Sequence, residues 1–192
     1  MVRLTRVLAA IAVLTAGAAA LAAGESRLSL VPWRVLDPST PVDAPLVLFW
    51  IPASAEELRR SELLTSYELT LFSSRCVAMR VVRFNDTNRL TSLEVGANVP
   101  AAVLTDDDGN ILGRVGSDDG ELPVSDVEEL VATELERLEG DAESMLDRAR
   151  EHAEDGHRDA AIALYRRVWD GRCVWPRQAR DAKRALKKLD RR

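Results

Sequence analysis

Runs of apolar residues and helix-capping signals alternate along the middle of the chain. Residues 46–50 (LVLFW) are five consecutive apolar residues, which predicts a strand buried on both faces, as in a parallel sheet. Ser54 and Glu57 have the spacing of a capping box, and apolar positions at helical spacing extend the helix that it starts to about Ser73. The pattern therefore opens with a strand followed by a helix.

Several further elements follow before residue 140. Alternating apolar residues predict a second strand, a stretch ended by Gly96 predicts a short helix, and two runs around an Asp-rich turn predict a hairpin. A second capping-box pattern, Ser125 with Glu128, predicts a helix that ends near Gly140. The predicted elements are the strand 77–84, the helix 88–95, the hairpin strands 101–105 and 111–115, and the helix 125–140. This order predicts an α/β fold with a mixed sheet flanked by helices.

The residues after 140 have a different pattern, in which small and large residues recur at the spacing of a helical hairpin. They are Met145, Ala149, Gly156, Ala161 and Tyr165. This spacing resembles one tetratricopeptide repeat and predicts helices over 141–155 and 158–170, with a third helix from Pro176 to Leu189. A single repeat has no neighbouring repeat to pack against. Residues 140–192 are therefore predicted to be a small α-helical extension that packs against the preceding domain or another chain.

The N-terminal 23 residues have the pattern of a secretory signal peptide. Arg3 and Arg6 precede an uncharged, Ala-rich run over 7–23 that ends in small residues, which predicts cleavage after Ala22 or Ala23. The chain is therefore expected to be exported, to the periplasm or outside the cell, with no stable membrane span after cleavage. An uncleaved N-terminal anchor is the alternative, because the run approaches the minimum length for a bilayer span. Residues 24–45 are expected to be a linker and a first strand region.

Composition and charge narrow the function classes. The chain carries 26 basic and 31 acidic side chains, which gives a net charge of −5. This balance argues against an extensive basic surface that binds nucleic acid. Charge is divided unevenly: residues 118–147 hold twelve acids and one Arg, and residues 176–192 hold eight basic residues and two Asp. The two regions are either solvated helix faces that attract each other or, at the basic end, a tail that docks on an acidic lipid or partner.

Three short segments in the middle of the chain are distinctive in their order and spacing. They are Phe49-Trp50 at the end of the first predicted strand, Asn98-Val99-Pro100 before the hairpin, and Gly116 after it. With them, the chain from Leu46 to Leu138 resembles the thioredoxin fold, and a domain is predicted over 46–139. In that family the three segments correspond to the aromatic pair that ends the central strand, the loop with the cis-proline and the glycine that closes the hairpin. The resemblance implies a thioredoxin-like mixed sheet.

The resemblance places the family's chemistry on residues that cannot perform it. The two cysteines of the Cys-x-x-Cys motif correspond to Ser54 and Glu57, the preceding Trp to Ala53, and the buried acid to Leu48. Dithiol exchange requires a thiolate and a resolving thiol, and a serine hydroxyl cannot replace the thiolate. Ser54 and Glu57 are therefore interpreted as a structural helix cap.

The resemblance also implies where a partner would bind. In the family the residue before the cis-proline offers its backbone to an extended peptide, which here points to Val99 and Pro100. The walls of the predicted groove are Trp50, Ile51, Pro52 and Ala53. The alternative is that Pro100 only shapes the fold and that the groove is empty.

Other chemistry-bearing residues give weaker signals. The even number of cysteines in an exported chain favours a Cys76–Cys173 disulfide, although two buried thiols would have the same sequence. His152 and His157 do not have a helical ligand spacing, and the Asp-rich segment 106–108 is better explained by a hairpin turn than by calcium. The sequence predicts no metal site and no cofactor.

Three functions remain open. The first is an exported, redox-inactive binding or scaffolding module for peptides or proteins. The second is a thioredoxin-superfamily oxidoreductase or related enzyme that uses a non-standard site, for example through Cys76. The third is a structural component held at a membrane surface by an uncleaved N-terminus.

Overall fold

The computed structural model describes residues 30–36, 42–117 and 120–190. The predicted signal peptide over 1–23 lies outside the described residues, as does part of the linker over 24–45. Within the described ranges, no helix combines the length and the apolar character that crossing a membrane requires.

A five-stranded mixed sheet forms the centre of the fold, as the alternation of strands and helices predicts. The strands are β1 Arg34–Val35, β2 Leu46–Ile51, β3 Val77–Val81, β4 Ala101–Asp106 and β5 Ile111–Gly116. Their spatial order is β1-β3-β2-β4-β5. β2 is parallel to β3 and antiparallel to β4; β1 is parallel to β3 and β5 is antiparallel to β4. This architecture is compatible with a thioredoxin-like fold.

The central strand β2 is buried on both faces, and all six of its residues are buried. Leu48 and Trp50 point into one core, which contains Leu69 and residues of the long helix described below. Phe49 and Ile51 point into a second core on the opposite face of the sheet. An uninterrupted apolar run is therefore required here, since a polar residue at any of these positions would be removed from water without a ready partner.

Helices cover both faces of the sheet. They are α1 Ala55–Arg60, α2 Tyr67–Ser73, α3 Thr87–Ser92, α4 Val124–Glu154, α5 Arg158–Asp170 and α6 Pro176–Leu189, with a 3-10 turn at Glu62–Leu64. α2 and the first half of α4 pack on the face that contains Trp50, and α3 packs on the face that contains Ile51. The last two helices have the bounds predicted from the sequence.

The single helix predicted from Ser54 to Ser73 is wrong, because the chain breaks twice within it. The Ser61 hydroxyl accepts a hydrogen bond from the amide of Leu63, and the Ser66 hydroxyl accepts one from the amide of Leu69. Both serines have extended ψ values, 138° and 125°. Each serine thus starts a new helical segment, since its side chain offers the backbone an alternative to continuing the previous one.

The predicted helix end near Gly140 is also wrong, because α4 runs through Gly140 without interruption for 31 residues. A glycine inside a helix costs about 1 kcal/mol relative to alanine. That cost is offset because Leu135, Ala142 and Leu146 are all buried on the inner side of the same helix. The predicted boundary between sheet domain and extension therefore falls inside one continuous helix.

The second predicted capping box, formed by Ser125 and Glu128, is absent from the start of α4. α4 begins after Pro123, and no side chain caps its first turn. The Ser125 hydroxyl donates to Asp126 instead, and the Glu128 carboxylate accepts a hydrogen bond of 2.6 Å from the Ser66 hydroxyl. Glu128 therefore joins the start of α2 to α4, a tertiary contact that the local pattern does not contain.

Candidate functional site

The turn after β2 is fixed by a reciprocal helix cap at the two positions that the resemblance assigns to redox cysteines. The Ser54 hydroxyl accepts a hydrogen bond of 3.1 Å from the Glu57 amide. The Glu57 carboxylate accepts one of 2.6 Å from the Ala53 amide. These contacts satisfy amide groups at the start of α1 that have no partner within the helix. Both side chains therefore stabilise the start of α1.

The loop before β4 lies directly beside this turn. The Val99–Pro100 peptide bond is cis. Because Ile51 pairs with Ala101 across β2 and β4, Pro100 lies next to Pro52. The Val99 amide donates a hydrogen bond of 3.0 Å to the Ala97 carbonyl, so this donor is already engaged within the chain.

The predicted groove residues differ in exposure. Ala53 is exposed and Val99 is half-buried, whereas Pro52 and Pro100 are buried. Trp50 and Ile51 are fully buried, one in each core. Their side chains therefore lie beneath the predicted groove and do not line it, because the strand that carries them is covered on both faces.

Glu57 occupies an unusual electrostatic environment. Burial raises the pKa of its carboxyl group above the ordinary value, and the negative charge of Glu121 raises it further. The hydrogen bond from the Ala53 amide and the nearby indole of Trp50 oppose this rise. Within the described part of the chain, the buried Trp50 Nε1 and Glu57 Oε1 atoms have no hydrogen-bond partner of good geometry. The indole is thus near enough to affect the carboxyl group, but it is not aligned to donate to it.

A cleft of about 660 Å³ opens beside Glu57, between α1 and the segment that leads into α4. Its lining includes four carboxylates and one guanidinium, and Arg60 of that lining pairs with Glu56 at 2.8 Å. The charged lining residues are Glu56, Glu57, Arg60, Glu62 and Glu121. Sequence reasoning missed this cleft: both acidic stretches are visible in the sequence, but only the fold brings residues 56–62 next to residue 121.

The two cysteines lie at the opposite end of the sheet from Ser54. They form a Cys76–Cys173 disulfide with Cα atoms 5.7 Å apart. Cys76 precedes β3, and the parallel register pairs Leu46 with Val77, so this disulfide lies at the start of β2. Ser54 follows the end of β2. The disulfide therefore takes no part in the candidate site.

The remaining candidate residues form local contacts. The rings of His152 and His157 meet edge to face across the turn at Gly156, with centroids 5.8 Å apart. The Asp106 carboxylate accepts hydrogen bonds of 2.8 Å from the backbone amide and the side-chain amide of Asn110, which shapes the hairpin turn and lowers the pKa of Asp106. Within the described ranges, no group of three or more His, Cys, Asp or Glu side chains could hold a metal ion.

Comparisons with known proteins add no relative. No protein-family model matches the chain, and a search of curated proteins finds no match. The function is therefore inferred from the residues and their geometry.

Proposed function

We propose that this chain is an exported, redox-inactive thioredoxin-like module that binds an extended peptide or protein segment beside Val99 and Pro100. The observation that carries the proposal is the reciprocal cap formed by Ser54 and Glu57. The site keeps the strand, turn, helix and cis-proline arrangement, while its two key side chains support the backbone.

The redox-inactive part rests on the location of every thiol in the chain. The sequence contains two cysteines, and both are held in the disulfide at the far end of the sheet. Leu48 replaces the acid that would assist proton transfer, and it is fully buried. Thiol–disulfide exchange requires an accessible thiolate, which neither Ser54 nor Glu57 can supply.

The binding part rests on the exposed Ala53 beside Val99 and on the neighbouring cleft. The Val99 amide is engaged with Ala97, so a bound segment would pair with the Val99 carbonyl and lie against the exposed Ala53. The carboxylates of the cleft beside Glu57 favour a segment that carries basic residues. Such a segment would donate one backbone amide to the Val99 carbonyl, and its basic side chains would face the carboxylates of the cleft.

Site-specific photo-crosslinking in the native host tests this proposal. A benzophenone amino acid at Ala53 is expected to capture a partner protein. The control replaces Asp108, which is exposed on the hairpin turn at the opposite end of β4. Equal capture from both positions, or none from Ala53, would reject the binding site.

The exported location is tested separately by N-terminal sequencing of the native protein. A start at Ala23 or Gly24 is expected if the signal peptide is cleaved. A start at Met1 would reject cleavage and favour the anchored alternative.

A further inference from the structure

The outer face of α6 is a continuous basic surface. From residue 177 to residue 188, every exposed side chain is a cation, and the residues between them face α4 and α5 or are only partly exposed. The six cations are Arg177, Arg180, Lys183, Arg184, Lys187 and Lys188. They extend for about 16 Å along the helix. All three lysines of the chain lie on this face, although arginine supplies the other 23 cations.

Among the described residues, one ion pair involves this surface, and it joins Arg184 to Asp181 of the same helix. Lys183 lies 4.5 Å from the centroid of the Trp169 ring, which Arg172 also approaches, at 5.5 Å. A half-buried indole therefore borders the basic face.

The acidic start of α4 does not reach the basic face. α6 packs against the second half of α4, around Leu146 and Ala149. Glu128 lies about 27 Å further along the same helix from Leu146, which is more than two Debye lengths at physiological salt. Two of the acids that lie nearer to α6 are paired within α4, Asp141 with Arg137 and Asp147 with Arg150.

We propose that the exposed face of α6 docks on the surface of an anionic lipid bilayer. Basic residues near such a surface are attracted to its headgroups, and an indole at the edge of the basic face suits the headgroup level. The choice of a lipid surface over nucleic acid rests on the proposed export, which would take the chain across a membrane and away from nucleic acid. This proposal is independent of the peptide site beside Val99.

Vesicle co-sedimentation of the full chain tests the proposal. The vesicles contain either phosphatidylcholine alone or phosphatidylcholine with one third phosphatidylglycerol. Neutral vesicles report any insertion of the apolar N-terminus, and the difference between the two vesicle types reports electrostatic docking. Binding to the anionic vesicles is expected to be stronger and to weaken as salt is added.

A matched pair of double variants locates the docking surface. Lys187→Gln with Lys188→Gln removes two charges from the face, and Arg59→Gln with Arg83→Gln removes two exposed charges from elsewhere. The lysine pair is expected to weaken anionic-vesicle binding roughly thirtyfold, and the arginine pair by less than about twofold. Far-UV circular dichroism checks that both variants fold.

Four results would overturn the proposal. They are equal binding to the two vesicle types, equal loss in the two double variants, tighter binding to a single-stranded oligonucleotide than to anionic vesicles, and salt-sensitive self-association in place of vesicle binding. The third result would assign the face to nucleic acid. The fourth would assign it to the acidic α4 of a second copy.

Discussion

Arg75 binds the backbone carbonyl of Val174 in the turn before α6. Its guanidinium donates two hydrogen bonds to that oxygen, of 3.1 Å from Nε and 2.6 Å from Nη2, and also pairs with Glu139 of α4. The neighbouring Cys76 is bonded to Cys173. Two consecutive residues before β3 thus hold two consecutive residues of the α5–α6 turn. This attachment explains how one repeat-like hairpin, which cannot stack by itself, is held against the sheet.

Removing the disulfide is expected to destabilise the chain substantially. The bridge joins residues separated by 97 positions. In the chain-entropy model, closing such a loop restricts the unfolded state by about 4 to 5 kcal/mol. Urea denaturation of the Cys76→Ser, Cys173→Ser double variant measures the loss.

Reductant provides the control for that measurement. It should lower the stability of the unmodified chain to the level of the double variant, and it should leave the double variant unchanged. Two free thiols titrated in the denatured, unreduced protein would show that no bridge forms.

Gly140→Ala is expected to stabilise the protein by about 0.5 to 1 kcal/mol, because alanine loses less backbone entropy than glycine on entering a helix. Space is available, since a Cβ atom at Gly140 would meet nothing within 4 Å. Thermal denaturation monitored at the helical circular dichroism band measures the gain.

Gly156→Ala is the matched comparison for Gly140→Ala. Gly156 has a φ of +80°, so alanine there is strained even though the space is open. It should lower the stability by about 1 kcal/mol. Destabilisation by both substitutions would show that α4 does not continue through residue 140.

The unmodified chain is expected to show no insulin-disulfide reductase activity. Ser54→Cys with Glu57→Cys would restore the thiol spacing at the start of α1, but activity should stay low because Leu48 leaves the site without its acid. A turbidity assay with a true thioredoxin as reference measures the rate. Reduction by the unmodified chain at a rate close to the reference would reject the redox-inactive interpretation.

Local sequence signals predict the elements whose stabilising contacts are themselves local. The strand at Leu46 and the cap formed by Ser54 and Glu57 depend on contiguous apolar residues and on hydrogen bonds within four positions, and both are present. Pro176 likewise begins α6, at a position where a backbone amide would have no partner within the helix.

The wrong predictions concern features that are stabilised by contacts between distant parts of the chain. α4 passes through Gly140 because burial on its inner side outweighs the local preference of glycine. Glu128 serves as a partner of Ser66, 62 positions away, and does not cap its own helix. The acidic cleft has the same origin, since Glu57 and Glu121 meet only once the sheet and its helices have assembled.

Glu57→Gln is expected to stabilise the fold more at neutral pH than at acidic pH. Burial is the main cause that raises the pKa of Glu57 above its ordinary value of 4.5, so the folded state retains the proton to a higher pH than the unfolded state does. The stability linked to this group is therefore fully present below the unfolded-state pKa. It is lost as the pH rises through the folded-state pKa.

Glutamine imitates the neutral carboxyl group and can still accept the hydrogen bond from the Ala53 amide, so the variant avoids that loss. Urea denaturation of both proteins at about pH 4 and about pH 7 measures the difference between them. Glu62→Gln, which removes an exposed carboxylate from the same cleft, is the control for the loss of one negative charge there. An equal gain from Glu57→Gln at the two pH values would show that burial does not hold this carboxyl group toward its neutral form.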